Sequence, residues 1–237
     1  MTNQIDDTNI NLISLPENSN LQLQMTEEGL SLVGDGRTIC GDFTRILPRI
    51  THSNLSHELL VKASKLKGIE GPLTAIDATA GMGEDAFLLA AAGFSVKLYE
   101  NDPIIAALLR DALHRAQDDP ELSAIANRME FFETDSIVAL PQLEESADVI
   151  LLDPMFPARQ KSALIKKKFQ LLQQLERPCS NEEELLNAAI SNHPRRIVIK
   201  RPLKGAFLAG RKPDYSLKGK AIRYDCIVLP RNDEIRQ

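Results

Sequence analysis

"LTAIDATAGMGEDAFLLAAAG", Leu73 to Gly93, changes its structural period halfway along. LTAIDAT (Leu73 to Thr79) is short and apolar and follows Pro72, so it reads as a buried strand ending near Asp77. From Asp85 to Ala92 the apolar residues fit a helix, which starts near Glu84-Asp85. Between the two lies a small-residue turn holding Gly81 and Gly83. A strand that feeds a glycine turn and then a helix is the opening unit of an open α/β sheet, and such sheets bind ligands at the carboxyl ends of their strands. The glycines match a dinucleotide fingerprint only in its permissive G-x-G-x-x-A form, with Ala86 last, so they say little alone about the ligand.

The chain beyond repeats this alternation. SVKLYE (Ser95 to Glu100), MEFFET (Met129 to Thr134), DVILLD (Asp148 to Asp153) and RIVIK (Arg196 to Lys200) read as strands, and the tail AIRYDCIVLP as one more. Helices are expected over Asp85 to Ala92, Pro103 to Ala116, Leu164 to Leu175 and Glu182 to Ser191. Strands alternating with helices imply parallel pairing and right-handed crossovers, hence helices on both faces of one sheet. Upstream, LQLQM (Leu21 to Met25) and LSLV (Leu30 to Val33) flank a turn through Gly29 and predict a β-hairpin. SNLSHELLVKASKLKG predicts a helix capped by Ser53 or Asn54 and stopped at Gly68. The division expected is a small β-rich appendage over 1–50 and an α/β domain over 51–237.

Composition narrows the class. The opening residues have no basic segment followed by an apolar one, and no run approaches the roughly 18 apolar residues of a membrane span, so a cytoplasmic protein without membrane attachment is expected. Cys40, Cys179 and Cys226 have no CxxC spacing, and His52, His57, His114 and His193 form no ligand pattern, so no metal site is expected. The net charge of -5 conceals a division: residues 1–153 hold 10 Lys and Arg against 25 Asp and Glu, residues 154–237 hold 18 against 8. A basic portion in an acidic chain suits a polyanionic partner.

Carboxylates gather where the sheet should bind its ligand. Asp77 ends the first strand, Glu84 and Asp85 open the helix, and Glu100 closes the second strand. Acids in a first helical turn are also ordinary dipole partners. They suit a pyrophosphate poorly and a sulfonium cation well. Glu100 stands where an acid can bind both hydroxyls of an adenosine ribose. Asp102 reads as the cap of the helix opened by Pro103. In TDSI, Asp135 could accept adenine amino hydrogens, while Ser136 is either part of that site or a helix cap.

With DATAGMGEDAF, LYEND, TDSI and LLDPMFP in this order, the chain resembles the class I S-adenosylmethionine methyltransferases, specifically the J family of 16S ribosomal RNA guanine-N2 methyltransferases. The similarity runs from about Ile69 to Val228, and LLDPMFPARQKSALIKKK and VIKRP are its most specific parts. LPRITHSNLSHELLVKAS departs from the Arg- and Gly-rich segment that precedes the first strand in that family. The resemblance implies a Rossmann-like, mostly parallel seven-stranded sheet, S-adenosyl-L-methionine as cofactor, and cofactor contacts at Glu84, Asp85, Glu100, Asn101, Asp135, Ser136 and Asp153. Asp77, Gly81 and Gly83 join them from the turn.

An exocyclic amine on a base is a feeble nucleophile, and accepting its hydrogens helps it. Asp153 and a carbonyl held rigid by Pro154 and Pro157 can do so, and Phe156 can stack on the base. Arg159, Lys161, Lys166, Lys167 and Lys168, with Arg195, Arg196, Lys200, Arg201 and Lys204, are then expected to gather ribosomal RNA phosphates around the reactive mouth. Three other readings remain: an adenine-N6 methyltransferase of DNA or RNA, since a D-P-x-F loop suits any exocyclic amine; a non-catalytic RNA-binding or ribosome-assembly protein; and, most weakly, an NAD-dependent dehydrogenase.

Overall fold

The structure, a computed structural model, describes residues 20–69, 71–154 and 181–230. The helix expected over Leu164 to Leu175 lies outside these residues. The N-terminal strands are β1 (Gln22–Thr26), β2 (Gly29–Gly34) and β3 (Arg37–Cys40), paired antiparallel in that order. The hairpin forms as expected, but RTIC adds a third strand that a mixed, four-residue pattern did not announce. Two short helices follow, α1 (His52–Leu55) and α2 (Leu59–Ser64), where one continuous helix was expected. At the break Glu58 leaves the helical conformation, with φ -59 and ψ 127, and its carboxylate takes two hydrogen bonds from Arg49, at 2.8 and 2.9 Å. Asn54 caps nothing; its amide donates to the Pro48 carbonyl.

The main sheet contains β4 (Thr74–Asp77), β5 (Ser95–Glu100), β6 (Met129–Glu133), β7 (Val149–Leu152), β8 (Arg196–Pro202), β9 (Tyr215–Lys218) and β10 (Ile222–Val228). Their order is β6-β5-β4-β7-β8-β10-β9, with β10 antiparallel to both neighbours and the other pairs parallel. The connecting helices are α3 (Glu84–Ala91), α4 (Pro103–Asp118), α5 (Ser123–Ala126), α6 (Ser136–Ala139) and α7 (Glu182–Ser191). β9 was not expected; its YSLK alternates weakly and lies at the sheet's edge.

Burial on both faces explains the apolar run of β7. Val149 and Leu151 join the core around Phe87, Leu88 and Leu89 of α3, while Ile150 and Leu152 join the core around Leu185, Leu186 and Ala189 of α7. The N-terminal sheet lies on α4: Leu30, Leu32 and Ile39 pack against Ile104, Ile105 and Leu108. Among the described residues, no helix is long and apolar enough to cross a membrane.

Candidate active site at the carboxyl rim of the sheet

Strand parity places the site. Asp77 at the end of β4, Asp153 just past β7 and Lys200 near the end of β8 continue the alternation of Ala75, Leu151 and Val198, so all three project toward the face that α3 covers. Lys200 Nζ lies 2.9 Å from Asp153 Oδ2 and 2.5 Å from Asp85 Oδ2, joining β8 to β7 and to the first turn of α3. Tyr224, opposite Lys200 on β10, is buried beside them. The backbone N–H of Asp153 donates to Thr79 Oγ1 at 2.6 Å, which ties the loop after β7 to the turn after β4.

These contacts set the charge states. Burial pushes the Asp77 carboxyl up to about 8; Asp85 and Asp153 add to that, while the Thr79 amide and Lys200 oppose it. Burial also raises Asp153, against the pull of Lys200. Burial opposes the Lys200 charge, yet Asp85 and Asp153 outweigh it and hold the ammonium well above its ordinary range. The trio is thus a fixed cation between two carboxylates, and one of these, Asp153, keeps 36% of its side chain exposed.

The expected cofactor residues divide into those on the open rim and those inside. Glu100 accepts from the Gly81 and Asp102 amides, each at 2.9 Å, and burial raises its carboxyl. A carboxylate offers about four acceptor positions, so Glu100 retains capacity for further donors. Gly81 has φ +53, and a Cβ there would meet nothing within 4 Å. Gly83 has φ +76, but its missing side chain faces Leu109 and Phe43, so close packing explains this glycine. Asp77 is 1% exposed and its carboxylate takes the Thr79 amide, so it shapes the turn from beneath instead of facing a ligand. Glu84 and Asn101 are exposed at the rim. Asp135 accepts from the Ile137 amide at 2.8 Å and is itself the cap of α6; Ser136 is buried in that helix's first turn and is not the cap. Asp102 caps α4 through the Ile104 and Ile105 amides, as expected.

Among the basic residues, corrections are needed. Lys200 belongs to the ion triad, and Arg201, 3% exposed, is held by Glu182 and the Ala206 carbonyl, so neither is a solvent-facing phosphate contact. Arg195 and Arg196 stand at the opposite, amino edge of the sheet, beside Asp148 and the carbonyls of Ala63 and Lys65. Lys204 is exposed just past β8. Pro154 is buried directly after Asp153. Phe156, Pro157, Arg159, Lys161, Lys166, Lys167 and Lys168 lie outside the described residues. Thr79 and Tyr224 were not singled out by sequence, since neither residue type announces its partner. Lys200 was assigned the wrong partner, although the alternation in RIVIK pointed its side chain toward α3.

The arrangement fits a sulfonium cofactor. Carboxylates outnumber cations around Asp153, Gly81 leaves open space beside the rim, and Glu100 offers acceptors on the neighbouring strand. Among the described residues, no three His, Cys, Asp or Glu side chains are grouped to hold a metal ion.

Comparison with known proteins gives concordant matches. A family model described as "Putative SAM-dependent methyltransferase" matches residues 7–229. The chain is 46% identical over 183 residues to ribosomal RNA small subunit methyltransferase J of Rhodopseudomonas palustris strain TIE-1, covering 76% of this chain and 88% of that protein. It is 38% identical over 212 residues to the protein of the same name from Marinobacter nauticus, covering 86% and 76%. Among solved structures, the SAM-dependent methyltransferase NGO1261 from Neisseria gonorrhoeae superposes with a TM-score of 0.73 at 30% identity, over 92% of this chain and 86% of that one. The rRNA methyltransferase aviRa from Streptomyces viridochromogenes, at 17% identity and a TM-score of 0.50 over 75% of this chain and 85% of that one, shares the fold.

Proposed function

The chain belongs to the S-adenosylmethionine-dependent methyltransferases, in the small-subunit ribosomal RNA methyltransferase J family, and from that premise we infer that it methylates the exocyclic N2 amine of a guanine in 16S ribosomal RNA. The observation that carries the chemistry is the Asp153 carboxylate, partly open at the rim, with one oxygen on Lys200 and its amide on Thr79. S-adenosyl-L-methionine supplies an electrophilic methyl carbon on a positively charged sulfur.

The protein's contribution is position and charge. Asp153 Oδ2 is engaged by Lys200, which leaves Oδ1 to accept an N–H of the base amine and turn the nitrogen lone pair toward the methyl carbon. Buried Pro154 limits the freedom of the following backbone, and Phe156 is assigned to stack on the base. As the N–C bond would form, the methyl carbon's bond to the sulfonium sulfur would break and the sulfur leave with the electron pair as a neutral thioether; the amine, now cationic, must lose a proton, for which Asp153 is the adjoining acceptor before release to water. Glu100 is assigned to the ribose hydroxyls and Asp135 to the adenine amino group, with Gly81, Asn101 and Glu84 lining the approach; Asp77, Asp85, Gly83 and Ser136 support these groups from within. Residues 51–237 form the methyl-transferring unit in this reading and 1–50 an appendage to it. A ribosomal substrate supports a cytoplasmic location in this reading.

The test is transfer of radiolabelled methyl from the cofactor to small-subunit particles from a strain lacking this protein, followed by digestion to nucleosides. Label in N2-methylguanosine is expected. Label in N6-methyladenosine would move the reading to adenine, and no transfer by a folded, cofactor-binding chain would overturn it.

A further inference from the structure

Past β8 the chain enters a loop whose anchoring is much stronger than its exposure would require. Arg223, buried on β10, donates from one guanidinium nitrogen to the carbonyls of Pro202, Leu203 and Gly205, at 2.8, 2.9 and 3.0 Å. Its Nε is held by Asp225 at 2.9 and 3.0 Å. Arg201, opposite it on β8, donates to the Ala206 carbonyl at 2.8 Å, and Glu182 at the start of α7 takes the Ala209 amide at 3.0 Å. At the crest of this fastened loop Phe207 is 38% exposed, its ring 5.1 Å from the Arg223 guanidinium. Phe207 is thus a partly exposed aromatic on a loop whose backbone is fastened on both sides of it.

The charge around it indicates the partner. Lys204, Lys218 and Lys220 are exposed at the same rim: the Leu203 amide donates to the Ala221 carbonyl, and Lys218 sits opposite Arg223 across the β9–β10 pair. Among the described residues, none of these three lysines meets a carboxylate. The one acid between 203 and 220, Asp214, accepts the Val228 amide. β8 also carries Lys200 of the candidate site, so the loop borders the place where a base must arrive.

We propose that Phe207 is a stacking platform for an unpaired base of the ribosomal RNA substrate, with Lys204, Lys218 and Lys220 on the flanking phosphates. It rests on the ribosomal RNA reading above and adds to it a docking surface outside the reactive pocket. Arg223 backs the ring, and the fixed loop avoids an ordering cost on binding. Single-stranded RNA is recognised in this way, by aromatic stacking with cations along the backbone.

The test is fluorescence anisotropy with an end-labelled, protein-free transcript of small-subunit ribosomal RNA, beside methyl-transfer kinetics on assembled particles. Phe207→Ala should weaken transcript binding by roughly 5- to 100-fold and raise KM for RNA more than it lowers kcat, with cofactor affinity and melting temperature held. Phe207→Tyr should recover binding. Lys218→Gln with Lys220→Gln should flatten the dependence of log affinity on log salt by about 0.7 per lost phosphate contact. Parental transcript binding by Phe207→Ala would overturn the proposal, as would a parallel loss of cofactor affinity. A loss confined to assembled particles would assign the surface to a ribosomal protein and equally overturn it. If the parent chain binds and methylates no RNA, the ribosomal RNA reading itself fails; if the parent is active and only the Phe207 result is negative, the failure belongs to the platform alone.

Discussion

Lys200 is the residue at which charge and geometry meet, because one ammonium serves Asp85 and Asp153 together. Lys200→Met removes the cation that opposes the effect of burial on Asp153, so that carboxyl holds a proton more tightly. Methyl transfer should then fall most at acid pH, and the acid limb of the kcat profile should move to higher pH, while Lys200→Arg recovers part of the rate. An even loss at every pH would make the lysine a structural strut only. Folding should lose roughly 3 kcal/mol in urea titrations, the usual result of leaving partly buried charges without their partner. Asp77 gives a separate signature in stability. Its carboxyl is pushed up to about 8, chiefly by burial and then by Asp85. A folded value above the unfolded one means that the stabilisation is complete below the unfolded value, about 4, and is lost as pH rises through about 8. Asp77→Asn cannot ionise, so between those limits its denaturation free energy should decline less with rising pH than the parent's. Parallel curves would mean that the carboxyl is already ionised in the folded chain.

The turn between β4 and α3 separates two glycines that look alike in sequence. Alanine at 83 brings its Cβ to 2.7 Å from Leu109 Cδ1 and 3.2 Å from Phe43 at φ +76, so overpacking adds to left-handed strain and the loss should be about 3 kcal/mol. Alanine at 81 meets open space, which limits the folding loss to about 1 kcal/mol, but it places a methyl group on the rim and should weaken cofactor binding in calorimetric titration. Equal unfolding losses for the two variants would contradict this division. The same region explains what sequence can disclose. β5 and α7 occupy Ser95–Glu100 and Glu182–Ser191 as expected, because apolar period, caps and β-branched content agree locally. β3 and β9 depend on edge pairing and the break before α2 coincides with an Arg49–Glu58 contact, neither of which leaves a local pattern. Lys200 and Arg201 show the limit for the site. Both are basic and adjacent, yet they point to opposite faces and meet Asp85 and Glu182, partners far away along the chain. Glu100 and Asp153 stand at the carboxyl rim because each closes or follows a strand that its local apolar pattern marks; the partner of a lysine is set only when the strands are in register.

Across the whole molecule, α4 couples the N-terminal sheet to the main domain. One side of α4 packs Leu109, Ala112, Leu113 and Ala116 into the main core, while Ile104, Ile105, Ala107 and Leu108 meet Leu21, Leu30, Leu32 and Ile39. A helix apolar on both sides must be covered on both. Polar contacts fix the register of that cover: Asp111 accepts the Leu30 amide at 3.0 Å and Arg115 at 2.8 Å, and Arg115 donates to the Gly41 carbonyl at 2.6 Å. Asp111→Ala leaves the Leu30 amide without its acceptor and Arg115 without its anion, which should cost about 2 kcal/mol. Because only the contact between sheet and helix is weakened, the loss should be local: faster hydrogen exchange at the amides of β2, with β4 and β7 protected as in the parent. Deleting residues 1–41 goes further and exposes the outer side of α4. That truncated chain should aggregate or bind an apolar dye, and it should do so even with cofactor present, since Glu100 and Asp153 lie on the sheet's rim and not on that side of the helix. A truncated chain that stays monomeric with the parent's melting temperature would show that the N-terminal sheet is only an ornament on the fold.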